Sequence, residues 1–273
     1  MTRFVIVPQW QGSPSPRAMA LADGAEAIAG DLPRSAVVHV GVPIEAGESL
    51  DSGVLRASSL QKVRRDIADA LVSETDRCIL IGGDCSIAVA GIDHVAHPDL
   101  AVIWFDAHAD LNSPASSPSG AFAGMAARAL LGEVPPELAL TAQPLVPQRL
   151  FVAGTRALDD DEAAFVEQSA VALFSVDALR NPAALVDAVR ASGATRVYIH
   201  IDLDVLDPAF VTGVQNPMPF GMDPAELTAT ISALREAFDL AGASLAGFAP
   251  SSPAAAVEDL GTILRIIGAL ASA

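Results

Sequence analysis

Eight short runs of aliphatic and β-branched residues recur along the chain of 273 residues, and stretches with helical periodicity separate many of them. Continuous apolar strands alternating with amphipathic helices are typical of a mostly parallel sheet that helices cover on both faces. The strand-like runs are residues 4–8, 37–41, 78–81, 101–106, 149–153, 172–175, 196–201 and 244–248. The helical stretches include residues 58–73, 124–131, 160–168, 181–192, 224–240 and 257–270. The pattern therefore predicts an α/β protein.

The chain shows no internal repeat and no marked shift of composition, so we expect a single domain over residues 1–273. Hydrophobic residues make up 51% of the sequence, which indicates a globular protein with a sizeable core. The longest apolar runs are too short to span a bilayer, and residues 1–10 lack a signal-peptide pattern. Cys78 and Cys85 are the only cysteines, so no disulfide framework is indicated. These features predict a cytoplasmic protein.

The chain is strongly acidic, with a net charge of −17 and Lys62 as its only lysine. Such a surface repels nucleic acid and acidic membranes, so we expect neither as a partner. It attracts cations, including cationic amino-acid side chains, although solubility accounts for most of the charge. The composition therefore favours a small-molecule partner without identifying it.

Acidic residues follow two of the strand-like runs, at Asp106-Ala-His-Ala-Asp110 and at Asp202-Leu-Asp204. Side chains at alternate positions of an extended chain lie on the same side, so each group projects together from its strand end. The five donors, on Asp106, His108, Asp110, Asp202 and Asp204, can neutralise two divalent cations. Paired cations of this kind generate hydroxide from water at neutral pH, so the first hypothesis is a hydrolase.

A third segment, Ile81-Gly-Gly-Asp-Cys85-Ser86, follows another strand-like run. Its glycines allow a sharp turn at the end of the strand, which places Cys85 at the mouth of the sheet. If neighbouring strands pair, Cys85 lies near the points where Asp106 and Asp202 emerge. The segment is therefore predicted to border the same site.

These three segments, in order, resemble the ureohydrolase family of arginases, agmatinases and formimidoylglutamases. The family pattern is Gly-Gly-Asp-His, then Asp-x-His-x-Asp, then Asp-x-Asp-x-x-Asp-Pro, and the resemblance covers almost the entire chain. It implies a three-layer α/β/α sandwich with a mostly parallel eight-stranded sheet, in agreement with the eight runs. It also implies two Mn²⁺ ions, one held by Cys85, Asp106, Asp110 and Asp202 and the other by Asp106, His108, Asp202 and Asp204.

Cys85 departs from the family pattern, which has histidine at this position. A thiolate is softer than an imidazole and shifts the metal preference toward zinc or iron. The alternative is that Cys85 is a small buried residue and that the first metal is weakly held. Ligation by Cys85 is the interpretation that we adopt.

By resemblance, two further segments bind an amino-acid substrate. Asn112 and Ser119 match the arginase residues that hold the substrate carboxylate, and Asp159 and Glu162 match the carboxylates that hold its α-amino group. For the second pair, an acidic helix start that interacts with the helix dipole is an equally good interpretation. A site for both groups favours an amino acid over agmatine, which has no carboxylate.

Two catalytic groups of arginase are missing. Ala123 occupies the position of the histidine that shuttles protons, and residues 247–253 lack the glutamate that pairs with the guanidinium. Both losses favour an N-hydroxyguanidine, which is less basic and needs more room. They resemble the ureohydrolases that act on Nω-hydroxy-L-arginine in D-cycloserine biosynthesis.

The resemblance therefore implies a hydrolase of C–N bonds in linear amidines that converts Nω-hydroxy-L-arginine to L-ornithine and hydroxyurea. Asp110 would carry the proton from the nucleophile to the leaving nitrogen. The alternatives are arginase or another guanidino-acid hydrolase and, from a different class, a metal-binding pseudoenzyme with a regulatory role.

Other polar residues in or near the motifs are predicted to have structural roles. His200 is interpreted as a packed strand histidine, although it could face the metal ligands. Asp84 and Asp207 are predicted to form hydrogen bonds in turns or to the ligands. The chain ends directly after its last helical stretch, so a monomer is favoured over the trimer common among arginases.

Overall fold

A computed structural model describes residues 2–272, so the first and last residues of the predicted domain, Met1 and Ala273, lie outside the described residues. The strands are β1 Thr2–Val7, β2 Val37–His39, β3 Arg77–Gly82, β4 Leu100–Phe105, β5 Leu150–Ala153, β6 Ala172–Phe174, β7 Arg196–Asp202 and β8 Asp239–Ala246. The α-helices are α1 Ala20–Gly30, α2 Ala57–Leu71, α3 Ile87–His94, α4 Ala126–Leu130, α5 Asp160–Gln168, α6 Val176–Leu179, α7 Pro182–Ala191, α8 Pro224–Ala237 and α9 Pro253–Ala271. Every predicted strand run thus overlaps an observed strand.

The eight strands form one sheet in the order β2-β1-β3-β8-β7-β4-β5-β6, and every neighbouring pair is parallel. Parallel neighbours require crossover connections, which the helices supply. The three strands that carry the predicted metal motifs, β3, β4 and β7, lie in the middle of the sheet with β8 between β3 and β7. Their carboxyl ends therefore meet at one edge, where open α/β sheets bind ligands.

Helices cover both faces of the sheet, which confirms the three-layer sandwich. Helices α1, α7, α8 and α9 pack together on one face, while α2, α3 and α4 pack on the other. All six residues of β4 are buried, as expected for a central strand covered on both sides. Among residues 2–272, no helix combines the length and apolar character required to cross a membrane.

The boundary between α8 and β8 differs from the prediction. A helix was predicted over residues 224–240, but α8 ends at Ala237 and β8 begins at Asp239, five residues before the predicted strand. The first half of β8 is rich in alanine and glycine, which have low β propensity. Pairing with β7, from Asp239 opposite Arg196 onward, fixes this segment as a strand.

Candidate metal centre

Three central strands deliver the predicted metal-binding side chains to one cavity of about 360 Å³. The turn after β3 carries Cys85, the segment after β4 carries Asp106, His108 and Asp110, and the end of β7 carries Asp202 and Asp204. The four aspartates and Cys85 are buried, whereas His108 is partly exposed toward the opening. All six residues that the sequence predicted as metal ligands therefore line the same cavity.

The donor atoms fall into two groups that share Asp106. Asp106, His108 and Asp204 each offer a ligand atom, and these three atoms lie within 4.8 Å of one another. Cys85, Asp106 and His200 form the second such group. A shared carboxylate between two donor groups is the arrangement expected when one residue bridges two ions.

Short backbone contacts hold the carboxylates in place. The amide N–H of Ala107 donates to Asp204 at 3.0 Å, that of His108 to Asp106 at 2.7 Å, and that of Asp204 to Asp202 at 2.8 Å. The first bond links the segment after β4 to the end of β7, and the other two fix a carboxylate within its own segment. Preorganised donors reduce the cost of gathering like charges around a cation.

A glycine directly after β8 allows the chain to pass close to the site. Gly247 has φ of +86°, and a Cβ built there would lie 2.2 Å from the Oδ1 atom of Asp202. Glycine alone combines this left-handed conformation with so close an approach. The lack of a side chain at Gly247 therefore leaves the space that the Asp202 carboxylate occupies.

Asp84 holds the turn that presents Cys85. Its buried carboxylate accepts hydrogen bonds from Gln9 Nε2 at 3.1 Å, from Gly12 N at 2.9 Å and from both the backbone and the hydroxyl of Ser86. These bonds tie the turn to residues 9–12 after β1. Asp84 is thus a structural residue of this turn, consistent with the turn role predicted from the sequence.

The site concentrates negative charge in a buried volume. Burial, followed by the charge of Asp204, raises the pKa of Asp202 to about 7. Burial, followed by the charge of Asp106, raises the pKa of Asp204 to about 6. Burial disfavours the imidazolium of His108, but hydrogen bonds and charge from Asp106 and Asp204 outweigh it and raise the pKa of His108 to about 12. Bound cations would reverse this charge balance.

Asp110 stands out within the cluster. It is buried, its backbone adopts the left-handed conformation with φ of +54°, and its Oδ2 atom has no hydrogen-bond partner among residues 2–272. Burial, followed by the charge of Asp106, raises the pKa of the Asp110 carboxyl well above its usual range. A buried oxygen without a partner costs free energy unless a ligand or ion satisfies it.

Cys85 is a thiol that contacts the carboxylates directly. Its Sγ atom lies 2.8 Å from Asp202 Oδ2 and 3.8 Å from Asp106 Oδ2. Burial and then the neighbouring aspartates raise the pKa of the Cys85 thiol well above its usual range. A divalent cation among these atoms would favour the thiolate, because a coordinating thiol is deprotonated. The donor set of carboxylates, one sulfur and imidazole fits divalent metal ions.

The predicted substrate-contacting residues also border the cavity, but they bond to one another. Asn112 Nδ2 donates to Asp159 Oδ2 at 2.7 Å, while Asn112 Oδ1 accepts from Ser116 Oγ at 2.7 Å. Ser119 lies at the exposed rim and lines the same space. A substrate in the cavity would thus meet a preformed polar wall as well as the carboxylate cluster.

Asp159 and Glu162 start helix α5 through a capping box. Asp159 accepts from the amide of Glu162 at 2.9 Å, and Glu162 accepts from the amide of Asp159 at 3.2 Å. Glu162 also accepts from the buried amide of Leu111 at 3.0 Å, next to Asp110. The capping interpretation is confirmed, and both side chains line the cavity as well, so capping does not exclude a role in binding.

We expect Glu162→Ala to lower the free energy of unfolding by about 1–3 kcal/mol, because it leaves the buried Leu111 amide unsatisfied as well as opening the capping box. Urea denaturation measures the loss. Glu226→Ala is the matched control: Glu226 closes the same kind of box on α8, where it accepts from the amide of Asp223. It should cost about 1 kcal/mol or less. Equal losses would contradict the special role of Glu162.

Residues other than the predicted ligands and substrate contacts also shape the site. Arg156 donates to six backbone carbonyls, including Asp204 at 2.7 Å and Met218 at 2.8 Å, and so holds together the two ends of the connection between β7 and α8. Gln215 lines the cavity and donates to Ser13 Oγ at 2.6 Å. His200 had a sequence signal, its position two residues before Asp202, whereas Gln215 had none.

Comparison with known proteins agrees with this architecture. The profile of the arginase family matches residues 22–261. Arginase from Staphylococcus aureus strain MRSA252 is 31% identical over 198 residues, which cover 67% of this chain and 63% of that protein. Arginase from Bacillus caldovelox is 30% identical over 216 residues, covering 72% of this chain and 71% of that protein. The chain belongs to the arginase family.

Solved structures show the same fold. The Entamoeba histolytica arginase crystallised with L-ornithine superposes with a TM-score of 0.87 at 21% identity, covering 100% of this chain and 98% of that one. The Bacillus caldovelox arginase superposes with a TM-score of 0.81 at 25% identity and covers 98% of both chains. The arginase-like fold predicted by resemblance is therefore confirmed.

Proposed function

We propose that the chain is a binuclear manganese amidinohydrolase that converts Nω-hydroxy-L-arginine to L-ornithine and hydroxyurea. The observation that carries the proposal is the convergence of six metal-type side chains on one cavity in a member of the arginase family. Because oxygen donors predominate, Mn²⁺ is the proposed ion at both positions. The proposed ligands are Cys85, Asp106, Asp110 and Asp202 for one ion and Asp106, His108, Asp202 and Asp204 for the other.

The lining of the cavity supports a hydroxylated guanidino group. Ala123 borders the cavity and is partly exposed to it, so this wall offers space but no group that can transfer a proton. Apart from Asp84 and the proposed ligands, the carboxylates of the lining are Asp159 and Glu162, on the wall with Asn112. A head group of lower basicity needs no further carboxylate partner. Resemblance also supports a place in D-cycloserine biosynthesis.

The polar wall supports recognition of the amino-acid end. Asn112 Nδ2 donates one hydrogen to Asp159, and a primary amide carries a second that can meet a carboxylate. Asp159 and Glu162 supply negative charge for an α-amino group. We therefore assign Asn112 and Ser119 to the substrate carboxylate, and Asp159 and Glu162 to its α-amino group. This places the guanidino carbon toward the aspartate cluster.

Asp110 is the proposed proton carrier. When bound, two divalent cations would lower the pKa of water and supply a nucleophile near neutral pH. Asp110 Oδ2 takes the proton of the attacking water and delivers it to the nitrogen of ornithine as the C–N bond breaks. Because no group in residues 2–272 forms a hydrogen bond with this atom, it is available for both transfers. The oxygen of the water remains on the departing hydroxyurea.

We expect turnover of Nω-hydroxy-L-arginine to exceed that of L-arginine by about 100-fold or more, because the missing proton-transfer group is worth about that factor. Ornithine release from each substrate at equal concentration, with excess Mn²⁺, measures the ratio. Ala123→His returns an imidazole to the wall and should raise the relative rate with L-arginine. Equal turnover of both substrates by the unmodified chain would favour arginase over the proposal.

A metal-binding pseudoenzyme is the alternative from another class. It predicts that the protein binds two Mn²⁺ ions yet releases no ornithine from either substrate. The presence of buried carboxylates that accept backbone hydrogen bonds argues against loss of function, because an unused cluster of like charges only destabilises the fold. Metal analysis of the same sample that is assayed for ornithine distinguishes the two hypotheses.

A further inference from the structure

His200 is held on both sides by the central strands. It lies on β7 two residues before Asp202, on the same side of the strand, and it is fully buried. Its Nδ1 atom is 2.8 Å from Ser244 Oγ on β8, and its ring packs against Trp104 of β4 with centroids 3.8 Å apart and ring planes tilted by 36°. The ring orientation is therefore fixed before any ligand binds.

The other ring nitrogen of His200 has no hydrogen-bond partner within the described part of the chain. Buried polar atoms are nearly always satisfied, so an unpartnered nitrogen in a well-packed core requires an explanation. A ring nitrogen of His200, the Cys85 sulfur and an Asp106 oxygen all lie within 4.8 Å of one another. Since Ser244 occupies Nδ1, the nitrogen left for this group is Nε2.

We propose that His200 Nε2 is a ligand of the metal ion that Cys85 and Asp106 hold. The inference rests on the proposed binuclear centre and adds a residue to its donor set. Ligand atoms around one divalent ion sit about 2.0–2.3 Å from the metal, so their mutual separations fall within the spacing found here. The Ser244 contact resembles the hydrogen bonds that fix the tautomer and orientation of metal-bound histidines.

The proposed ligand makes the two metal positions chemically different. The ion near Cys85 would have sulfur and imidazole donors beside carboxylates, whereas the ion near Asp204 would have one imidazole and oxygen donors. Sulfur and nitrogen donors favour Zn²⁺, Co²⁺ or Fe²⁺ more than oxygen donors do. The two positions should therefore fill in a different order with Zn²⁺ than with Mn²⁺.

The direct test counts metal-bound imidazoles. In the unmodified protein loaded with two equivalents of Zn²⁺, two of the five histidine rings should shift in nitrogen NMR, those of His108 and His200. X-ray absorption of the same sample should give an average of one imidazole per ion. His200→Gln should halve that average, while His39→Gln, which alters an exposed histidine, should not change it. One shifting ring in the unmodified protein would overturn the proposal.

Affinity supplies a second readout that does not depend on turnover. We expect His200→Gln to weaken Zn²⁺ binding at one position by about 100-fold, and Ser244→Ala to weaken it by about 10-fold because the imidazole remains. Circular dichroism of the chelated variants checks that they fold. If they do not, the number of metal-bound imidazole rings in the unmodified protein decides whether His200 is a ligand. Binding of fewer than two ions by the unmodified protein would overturn the proposed centre itself, a result distinct from a count of one ring.

Discussion

Asp110→Asn should reduce turnover of Nω-hydroxy-L-arginine by about 10²–10⁴-fold, because an amide cannot accept and deliver the proton that the proposed carrier moves. Much of the bound metal should remain, since the amide oxygen can still coordinate. Steady-state ornithine release and metal content of the same preparation measure both effects. A variant that turns over normally would exclude Asp110 as the proton carrier.

Asparagine is the informative replacement because of the backbone at Asp110. The residue adopts φ of +54°. Aspartate and asparagine tolerate this left-handed conformation better than residues with apolar side chains do. Alanine at this position would combine loss of the carboxylate with backbone strain. Asparagine therefore isolates the loss of proton transfer.

Asp207→Asn provides the matched control for the same charge change. Asp207 belongs to the third motif, but its carboxylate accepts from the amides of Phe220 at 2.7 Å and Gly221 at 3.1 Å, away from the cluster. Its hydrogen bonds stabilise the loop after β7, so turnover should stay within a few-fold of the unmodified protein. A loss as large as that of Asp110→Asn would point to general sensitivity of this loop.

The fold was predictable wherever the local pattern and the tertiary environment agree. Strand β4 is an uninterrupted apolar run that is buried along its whole length, so its sequence sufficed. The bounds of helix α3 were not predicted, because six of its eight residues are buried and it lacks a polar face that would reveal its period. The first half of β8 was also missed: Gly242 packs against the ring of Tyr198, a contact that only the assembled sheet defines.

The site was predictable to the extent that its donors sit in short motifs at strand ends. Asp106, His108 and Asp110 share one segment, so alternation along an extended chain sufficed to group them. His200 required the neighbouring strands, because its ring is fixed by Ser244 and Trp104 from β8 and β4. The bonds of Arg156 to backbone carbonyls form only when the loop after β5 meets the connection between β7 and α8, so no local pattern could predict them.

Removal of the metal should make the protein less stable, and increasingly so as the pH rises from about 5 to 8. The pKa of Asp202 is raised from 3.8 to about 7 and that of Asp204 from 3.8 to about 6, so between these values the folded protein binds more protons than the unfolded chain. The free energy of unfolding then falls with rising pH. Between pH 5 and 8, Asp202 alone contributes a loss of about 3 kcal/mol.

His108 acts in the same direction at higher pH. Its pKa is raised from 6.5 to about 12, so the stability that its imidazolium contributes is present below pH 6.5 and is lost as the pH rises toward the folded value. Metal loading reverses the trend, because cations stabilise the ionised carboxylates and bind better once their ligands are deprotonated. The gap in stability between loaded and chelated protein should therefore widen with pH.

Urea denaturation with a chelator or with excess Mn²⁺, at several pH values from 5 to 8, measures this gap. The net charge of −17 also lowers stability at high pH through general repulsion, so a control must separate the two effects. Asp202→Asn should flatten the pH dependence of the chelated protein, whereas Glu137→Gln, which removes one exposed charge, should leave most of it. If the chelated protein became more stable as the pH rose, the crowded carboxylates could not be the source of its instability, and the case for paired cations among them would fail with it.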